Sequence, residues 1–274
     1  MQVPVARTHG ALRVPEITIL FWVVKLLSTA MGESTSDYLV HALSPVVAVL
    51  IGFAGFAGAM AIQFSRGRYL AWSYWLAVVM IGVFGTMVAD VLHVGFGVPY
   101  QLSAALFAVL LAANFVVWGR RERSLSIHTI DSLPREFFYW MTVVLTFALG
   151  TAVGDLTAIA FHLGYLLSAV VFTVIIAIPA IGAASGAFNR IFAFWFAYVA
   201  TRPLGASVAD WLGKPTSAGG LDAGSGPVAI VLSVAIVSIV AYLSISRRDV
   251  QARDAPHESL GTPAWVPRQP DAPG

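Results

Sequence analysis

The chain has no cysteine among its 274 residues. Disulfides, thiolate metal ligands, iron–sulfur clusters and thiol nucleophiles are excluded, and cysteine usage says nothing about compartment. Charge is almost as scarce. Only 11% of residues are Asp, Glu, Lys or Arg, against about 25% in soluble domains. A water-soluble enzyme of this length needs more polar surface than that. A disordered chain is excluded too, because 58% of residues are apolar. Net charge is only +2, and the basic residues form short clusters, so nucleic acid is not an expected partner.

What is present is apolar sequence in long runs, with a mean hydropathy of +0.80. A helix needs about 20 residues to cross a bilayer. Eight stretches reach that length: 16–40, 43–64, 69–92, 100–118, 136–161, 163–184, 191–212 and 227–246. In lipid they must be helical, because each backbone polar group needs an internal partner. The expected fold is an all-α polytopic membrane protein with eight transmembrane helices. The first stretch follows Arg7 and Arg13 like a signal peptide. It is too long, holds Lys25, Glu33 and Asp37, and lacks a small-x-small cleavage site, so it reads as retained.

Arg7, Arg13, Arg66, Arg68, Arg120, Arg121, Arg123, Arg135, Arg190, Arg247, Arg248, Arg253 and Arg268 all fall on one side of that alternation. Lys214 alone lies in a connection on the other side. The positive-inside rule then puts both termini in the cytoplasm. The expected organisation is a cytoplasmic tail over 1–14 and a first membrane half over 15–118. A cytoplasmic linker over 119–135 leads to a second half over 136–246, and a proline-rich disordered cytoplasmic tail covers 247–274.

The chain repeats itself four times. Trp22, Gly32 and Asp37 obey W-x9-G-x4-D; so do Trp75, Gly85 and Asp90, then Trp140, Gly150 and Asp155, then Trp195, Gly205 and Asp210. The intervening residues agree as GESTSD, GTMVAD, GTAVGD and GASVAD. Each copy reads as a helix, a tight turn and a returning helix. Two spans per copy keep all four copies in one orientation, so the repeats are parallel about an axis near the membrane normal.

This pattern resembles a bacterial membrane family of uncharacterised membrane-anchored proteins, built from a four-copy, two-transmembrane repeat of unknown function with a characteristic tryptophan. The resemblance spans residues 14 to 246. It implies the repeat architecture and a bacterial inner (cytoplasmic) membrane location. It implies no activity.

An ionisable residue within a span costs at least about 2.5 kcal/mol, so four repeated aspartates ask for a reason. Each lies 15 residues beyond its tryptophan, roughly 22 Å along a helix, in the outer third. An interfacial helix end is the plainer alternative, but an acid near a helix C-terminus opposes the macrodipole. The four glycines, with small residues around them, read as close-packing positions that bring the odd-numbered spans together. The four tryptophans read as interface anchors in a register that suits packing as well.

The first copy carries extra polarity. Lys25, Thr29, Glu33, Asp37 and His41 recur every four residues and share a helix face. Arg202, Ala206 and Asp210 form a shorter stripe of the same kind. Glu33 has no acidic counterpart at Thr86, Thr151 or Ala206. His41, His93 and His162 follow their aspartates by four, three and seven residues. A carboxylate with an imidazole suits Mn²⁺, Zn²⁺ or Fe²⁺, and carboxylates alone suit Mg²⁺ or Ca²⁺.

Five acids against Lys25 and Arg202 leave a negative excess inside the membrane, which protons or cations must neutralise. The expectation is a transporter of a small inorganic cation, first of all a divalent metal ion as substrate, coupled to protons through Glu33. Asp37, Asp90, Asp155, Asp210 and Glu33 form its site. The alternative is a non-transporting scaffold or sensor whose acids pair with Lys25 and Arg202. Enzyme activity is not expected: G-x4-D is not the Gly-x-Gly-Asp of intramembrane aspartyl proteases, and no H-E-x-x-H or serine–histidine arrangement occurs. No resident cofactor is expected. The partner is the lipid bilayer, and the chain works as a monomer or a homodimer.

Overall fold

A computed structural model describes residues 11–251. Eight long helices run through them: α1 Ile19–Ala42, α2 Pro45–Phe64, α3 Ala71–Asp90, α4 Tyr100–Glu122, α5 Leu133–Asp155, α6 Gly164–Ala184, α7 Arg190–Gly213 and α8 Ser225–Ser246. No strand occurs among the described residues. Each expected span has its helix, with ends moved by a few residues. Local chemistry sets several starts. Thr18 caps α1 by accepting from the Phe21 N–H, and Ser44 does the same for α2 from Val47, with Pro45 at the first helical position.

The helices α2 to α8 are long and apolar enough to cross a bilayer. α1, the most polar of the odd-numbered helices in its middle, does not meet that standard, so seven of the eight expected spans qualify on composition. Its charged face needs no lipid partner, because α1 packs against α3, α7 and α8. Arg7, Arg253 and Arg268 lie outside the described residues, as does most of both expected tails.

The odd-numbered helices form the inside. α1 packs on α3, α3 on α5, α5 on α7, and α7 back on α1. The even-numbered helices lie around them, each chiefly against the next odd helix: α2 on α3, α4 on α5, α6 on α7 and α8 on α1.

Two contacts recur around this closed cycle. The residue before each tryptophan meets the next copy's tryptophan: Phe21 with Trp75 at 5.7 Å, Tyr74 with Trp140 at 5.3 Å, Tyr139 with Trp195 at 6.0 Å, and Phe194 with Trp22 at 5.7 Å between ring centroids. Aromatic pairs of this kind contribute about 0.5–1.5 kcal/mol each beyond area burial. Trp75, Trp140 and Trp195 are buried, so packing rather than anchorage at an interface accounts for them.

The second contact uses the glycines. Each faces the residue seven beyond the next tryptophan: Gly32 faces Gly82, Gly85 faces Phe147, Gly150 faces Arg202 and Gly205 faces Thr29. At Gly32 the approach is backbone to backbone. A Cβ there would sit 2.8 Å from the Gly82 carbonyl carbon and 2.9 Å from its Cα. No side chain can swing aside, so α1 and α3 must separate. Gly32→Ala is expected to lower stability by about 1–3 kcal/mol. A methyl group added at Gly58 on α2 would meet nothing within 4 Å, so Gly58→Ala should be neutral or slightly stabilising. Thermal unfolding followed by tryptophan fluorescence in micelles measures both; equal midpoints for the two variants would refute the close-packing role.

The arginine-rich end is strapped. Arg13 N–H donates to the Ile130 carbonyl at 3.0 Å, Tyr69 N–H to Leu12 at 2.9 Å, and Glu16 N–H to Asp249 at 2.8 Å. One short segment thus ties two connections and the end of α8. The first residues after α8 are held as well: Asp249 is buried, and its carboxylate accepts from the Tyr69 hydroxyl. Burial raises the Asp249 pKa, and the bond from Tyr69 only partly offsets that.

Candidate functional site

Eleven residues beyond each tryptophan stand Glu33, Thr86, Thr151 and Ala206. Three of these side chains converge on the fourth copy's arginine. Arg202 is completely buried on α7. Its Nη2 donates to Glu33 Oε2 at 2.7 Å, to Thr151 Oγ1 at 2.7 Å and to Thr86 Oγ1, and its Nη1 donates to the Thr29 carbonyl at 3.3 Å. One guanidinium therefore joins α7 to α1, α3 and α5. The stem fits because Gly150 has no side chain; a Cβ there would overlap Arg202 Cγ. α7 continues as helix through Pro203, which packs beside the same glycine.

Arg202 and Glu33 pair as the acid–base expectation for them requires. Lys25 does not. Its Nζ is buried without any hydrogen-bond partner and lies 4.3 Å from the ring centroids of both Phe147 and Tyr198. The pairing expected of Lys25 with a buried acid is thus corrected. Aromatic rings occupy the place an acid would need, and Glu33, two turns further along α1, is taken by Arg202.

One turn beyond Glu33, Thr86, Thr151 and Ala206 come the aspartates. Asp37 Oδ2 accepts from Lys214 Nζ at 2.5 Å, and Asp210 Oδ1 lies 3.7 Å from the same ammonium. Lys214 sits just after α7, where Leu221, Ala223 and Gly224 N–H groups close a loop back onto the Trp211, Leu212 and Gly213 carbonyls. Burial works against the Lys214 charge, but Asp210 and Asp37 outweigh it and hold its pKa above the ordinary lysine value. A raised pKa keeps its ion pairs intact at neutral pH and loses them only in strong alkali.

Asp90 and Asp155 have neither an ion pair nor a hydrogen bond among the described residues. Each ends its α-helix, and each is followed by a π-helical turn, Val91–Gly95 and Leu156–Ala160. All four aspartates stand toward the C-terminal ends of the mutually packed inner helices α1, α3, α5 and α7, with Glu33 one turn earlier on α1. The structure therefore gathers the five expected acids at one end of the inner helices.

It does not gather the histidines. His41 is exposed, and its Nδ1 turns back to the Asp37 carbonyl at 2.6 Å. His93 Nδ1 meets the Val98 carbonyl at 2.9 Å, its Nε2 meets Ser103 Oγ at 3.3 Å, and its ring packs at a tilt against Tyr100. His162 is exposed in a turn at φ +56°. Among the described residues, no three His, Asp or Glu side chains are arranged to hold a metal ion.

Sequence reasoning passed over one cluster. Glu136, in the first turn of α5, is fully buried. It accepts from Arg13 at 2.6 Å, Gln63 Nε2 at 2.9 Å and Trp140 Nε1 at 3.3 Å, and Ser73 bonds to Gln63. An acid at a helix N-terminus suits the dipole, and Glu136 stands four residues before Trp140; that pair was the available signal.

A family model described as Repeat of Unknown Function (DUF347) matches residues 20–69, 73–124, 138–183 and 193–249. No curated protein and no solved structure matches the chain.

Proposed function

We infer a transport function for this chain, which belongs to the Repeat of Unknown Function (DUF347) family: it moves a small inorganic cation across a bacterial inner membrane. The observation that carries this reading is the unpaired state of Asp90 and Asp155 beside three other acids. Among the described residues, only Arg202 and Lys214 meet that group as ion-pair partners. A cation arriving at the aspartate end offsets the remaining charge.

The fold reading that goes with it has four parallel two-helix repeats, with both termini in the cytoplasm and the aspartates opening outward. Closure of α7 onto α1 makes one chain sufficient. Because the histidines stay apart, the donors at hand are carboxylate oxygens. These favour a hard cation such as Mg²⁺ or Ca²⁺ over zinc. Below the acids, Arg202 blocks the axis, so passage requires that the Arg202–Glu33 pair open.

The test is flux into liposomes containing the purified chain, across a panel of monovalent and divalent cations. Asp90→Asn and Asp155→Asn should abolish uptake while the protein remains folded by tryptophan fluorescence. Wild-type flux in both variants, and in Asp37→Asn and Asp210→Asn, would sink the assignment.

One observation favours a second reading. Arg202 clamps all four inner helices, as a scaffold or sensor would need. Under that reading the wild-type chain moves no cation, and its aspartates matter only for folding.

A further inference from the structure

Between α3 and α8 runs a groove of about 410 Å³. Its floor is the buried Met31, Trp75 and Ile236, and its walls include the exposed Trp72, Leu76 and Val237. Apart from Ser233 and Ser244, its lining is aliphatic or aromatic. Along α8 it extends from Ser233 to Ser244, roughly 16 Å of helix rise. One leaflet has nearly that depth, being half of a hydrocarbon core of about 30 Å. At the arginine-rich end a pocket of about 360 Å³ continues the groove, and Trp72 and Ser244 line both.

That pocket is cationic. Arg68, just before α3, and Arg247, just after α8, line it, and both are exposed. Among the described residues neither has an ion-pair partner. Asp249 is the acid in the lining; it is buried and turned to the Tyr69 hydroxyl. Arg66 stands close by, 5.3 Å over the Trp72 ring. The apolar groove also recurs in the fourth copy. Three residues before the repeat tryptophan, at it, and one and four beyond it stand Trp72, Trp75, Leu76 and Val79. Phe192, Trp195, Phe196 and Val199 hold the same four places on α7 and line a groove of about 720 Å³. There Asn189 and Ile191, on either side of Arg190, line the end nearest the arginines. A chance packing defect has no reason to recur in register two copies away.

We propose that the α3–α8 groove and the pocket at its end bind an anionic phospholipid. One acyl chain lies against Trp75 and Ile236, and the phosphate meets Arg68 and Arg247. The apolar length suits the chain, and a guanidinium suits phosphate because it donates two parallel hydrogen bonds to it. A zwitterionic lipid brings an ammonium group to the same arginines and gains less. The lipid bridges the start of α3 and the end of α8, two elements that otherwise meet sparingly. The site lies at the end away from the aspartates. It needs nothing from the transport reading, and its test measures no flux.

The full chain in a neutral detergent is titrated with phosphatidylglycerol, or with phosphatidylcholine of the same acyl chains, and bound lipid is counted by native mass spectrometry. Phosphatidylglycerol should bind roughly tenfold more tightly. Arg68→Gln combined with Arg247→Gln should remove that preference. Arg120→Gln combined with Arg121→Gln takes two arginines from the same end but outside the pocket, and should leave it. Ala241→Phe puts a ring into the groove, touches no arginine, and should weaken binding. Phosphatidylglycerol with a photoactivatable acyl chain should label α3 and α8, and Ala241→Phe should lose that label. Unfolding midpoints show that each variant is folded. Equal affinity of the wild type for both lipids overturns the proposal. So does an equal loss from the two arginine pairs, or an α3 and α8 left unlabelled.

Discussion

Arg202→Met is expected to destabilise the protein by about 3–5 kcal/mol, the usual cost of removing one partner from a buried ion pair. Methionine keeps most of the stem that fills the hollow at Gly150, so the loss comes from the guanidinium. Without it Glu33 is a buried carboxylate beside two threonine hydroxyls, with no positive charge in direct contact. Glu33→Gln in the same chain removes the stranded charge. The double variant should therefore recover a large part of what the single variant loses. Unfolding midpoints and the yield of monodisperse protein measure both. An Arg202→Met protein as stable as wild type, or a double variant worse than the single, would contradict the role given to this pair.

That role was half legible in the sequence. Arg202 and Glu33 stood out because ionisable residues in apolar helices are costly. That they meet, 169 positions apart, depends on α7 closing onto α1. The repeat itself was visible through Trp22, Gly32, Asp37 and their counterparts, because identity recurs there. The positions that interlock with the glycines are Thr29, Gly82, Phe147 and Arg202. They differ in every copy and work by complementary shape, so no alignment of copies brings them out. The π-helical turns after Asp90 and Asp155 were hidden for another reason. They depend on how each chain segment turns from one helix to the next, and hydropathy alone does not register that.

The histidines show the limit of spacing arguments. Asp37 and His41 do share a helix face, as four-residue spacing requires. Yet the imidazole folds onto the Asp37 backbone carbonyl rather than toward the carboxylates. At His93 the π-helical turn re-aims the side chain toward Val98 and Ser103. Lys214 went the other way. It looked like a loop charge on the sparse side, and the loop after α7 folds it down between Asp37 and Asp210. Among the described residues, two of the four aspartates thus have a resident cation and two have none, an asymmetry absent from the repeated motif.

Glu136→Ala should cost about 3 kcal/mol and loosen the segment before α1. The carboxylate collects three donors from three places: Arg13 on the strap, Gln63 at the end of α2, and Trp140 one turn along α5. Truncation leaves the buried Gln63 amide and Trp140 indole N–H without that acceptor, at about 1–3 kcal/mol for each unsatisfied group. Arg13 is 14% exposed and can turn to water, which holds the total below the simple sum. Glu136→Gln keeps an oxygen for Gln63 and Trp140 and loses only the charge facing Arg13, so its cost should be nearer 1 kcal/mol. Hydrogen exchange separates this from a general loss of stability. Arg13 N–H and Glu16 N–H bond to Ile130 and Asp249, and their protection should fall in Glu136→Ala more than that of the inner helices. Uniform loss across the chain, or full protection of the strap in the alanine variant, would show that Glu136 does not hold the strap to α5.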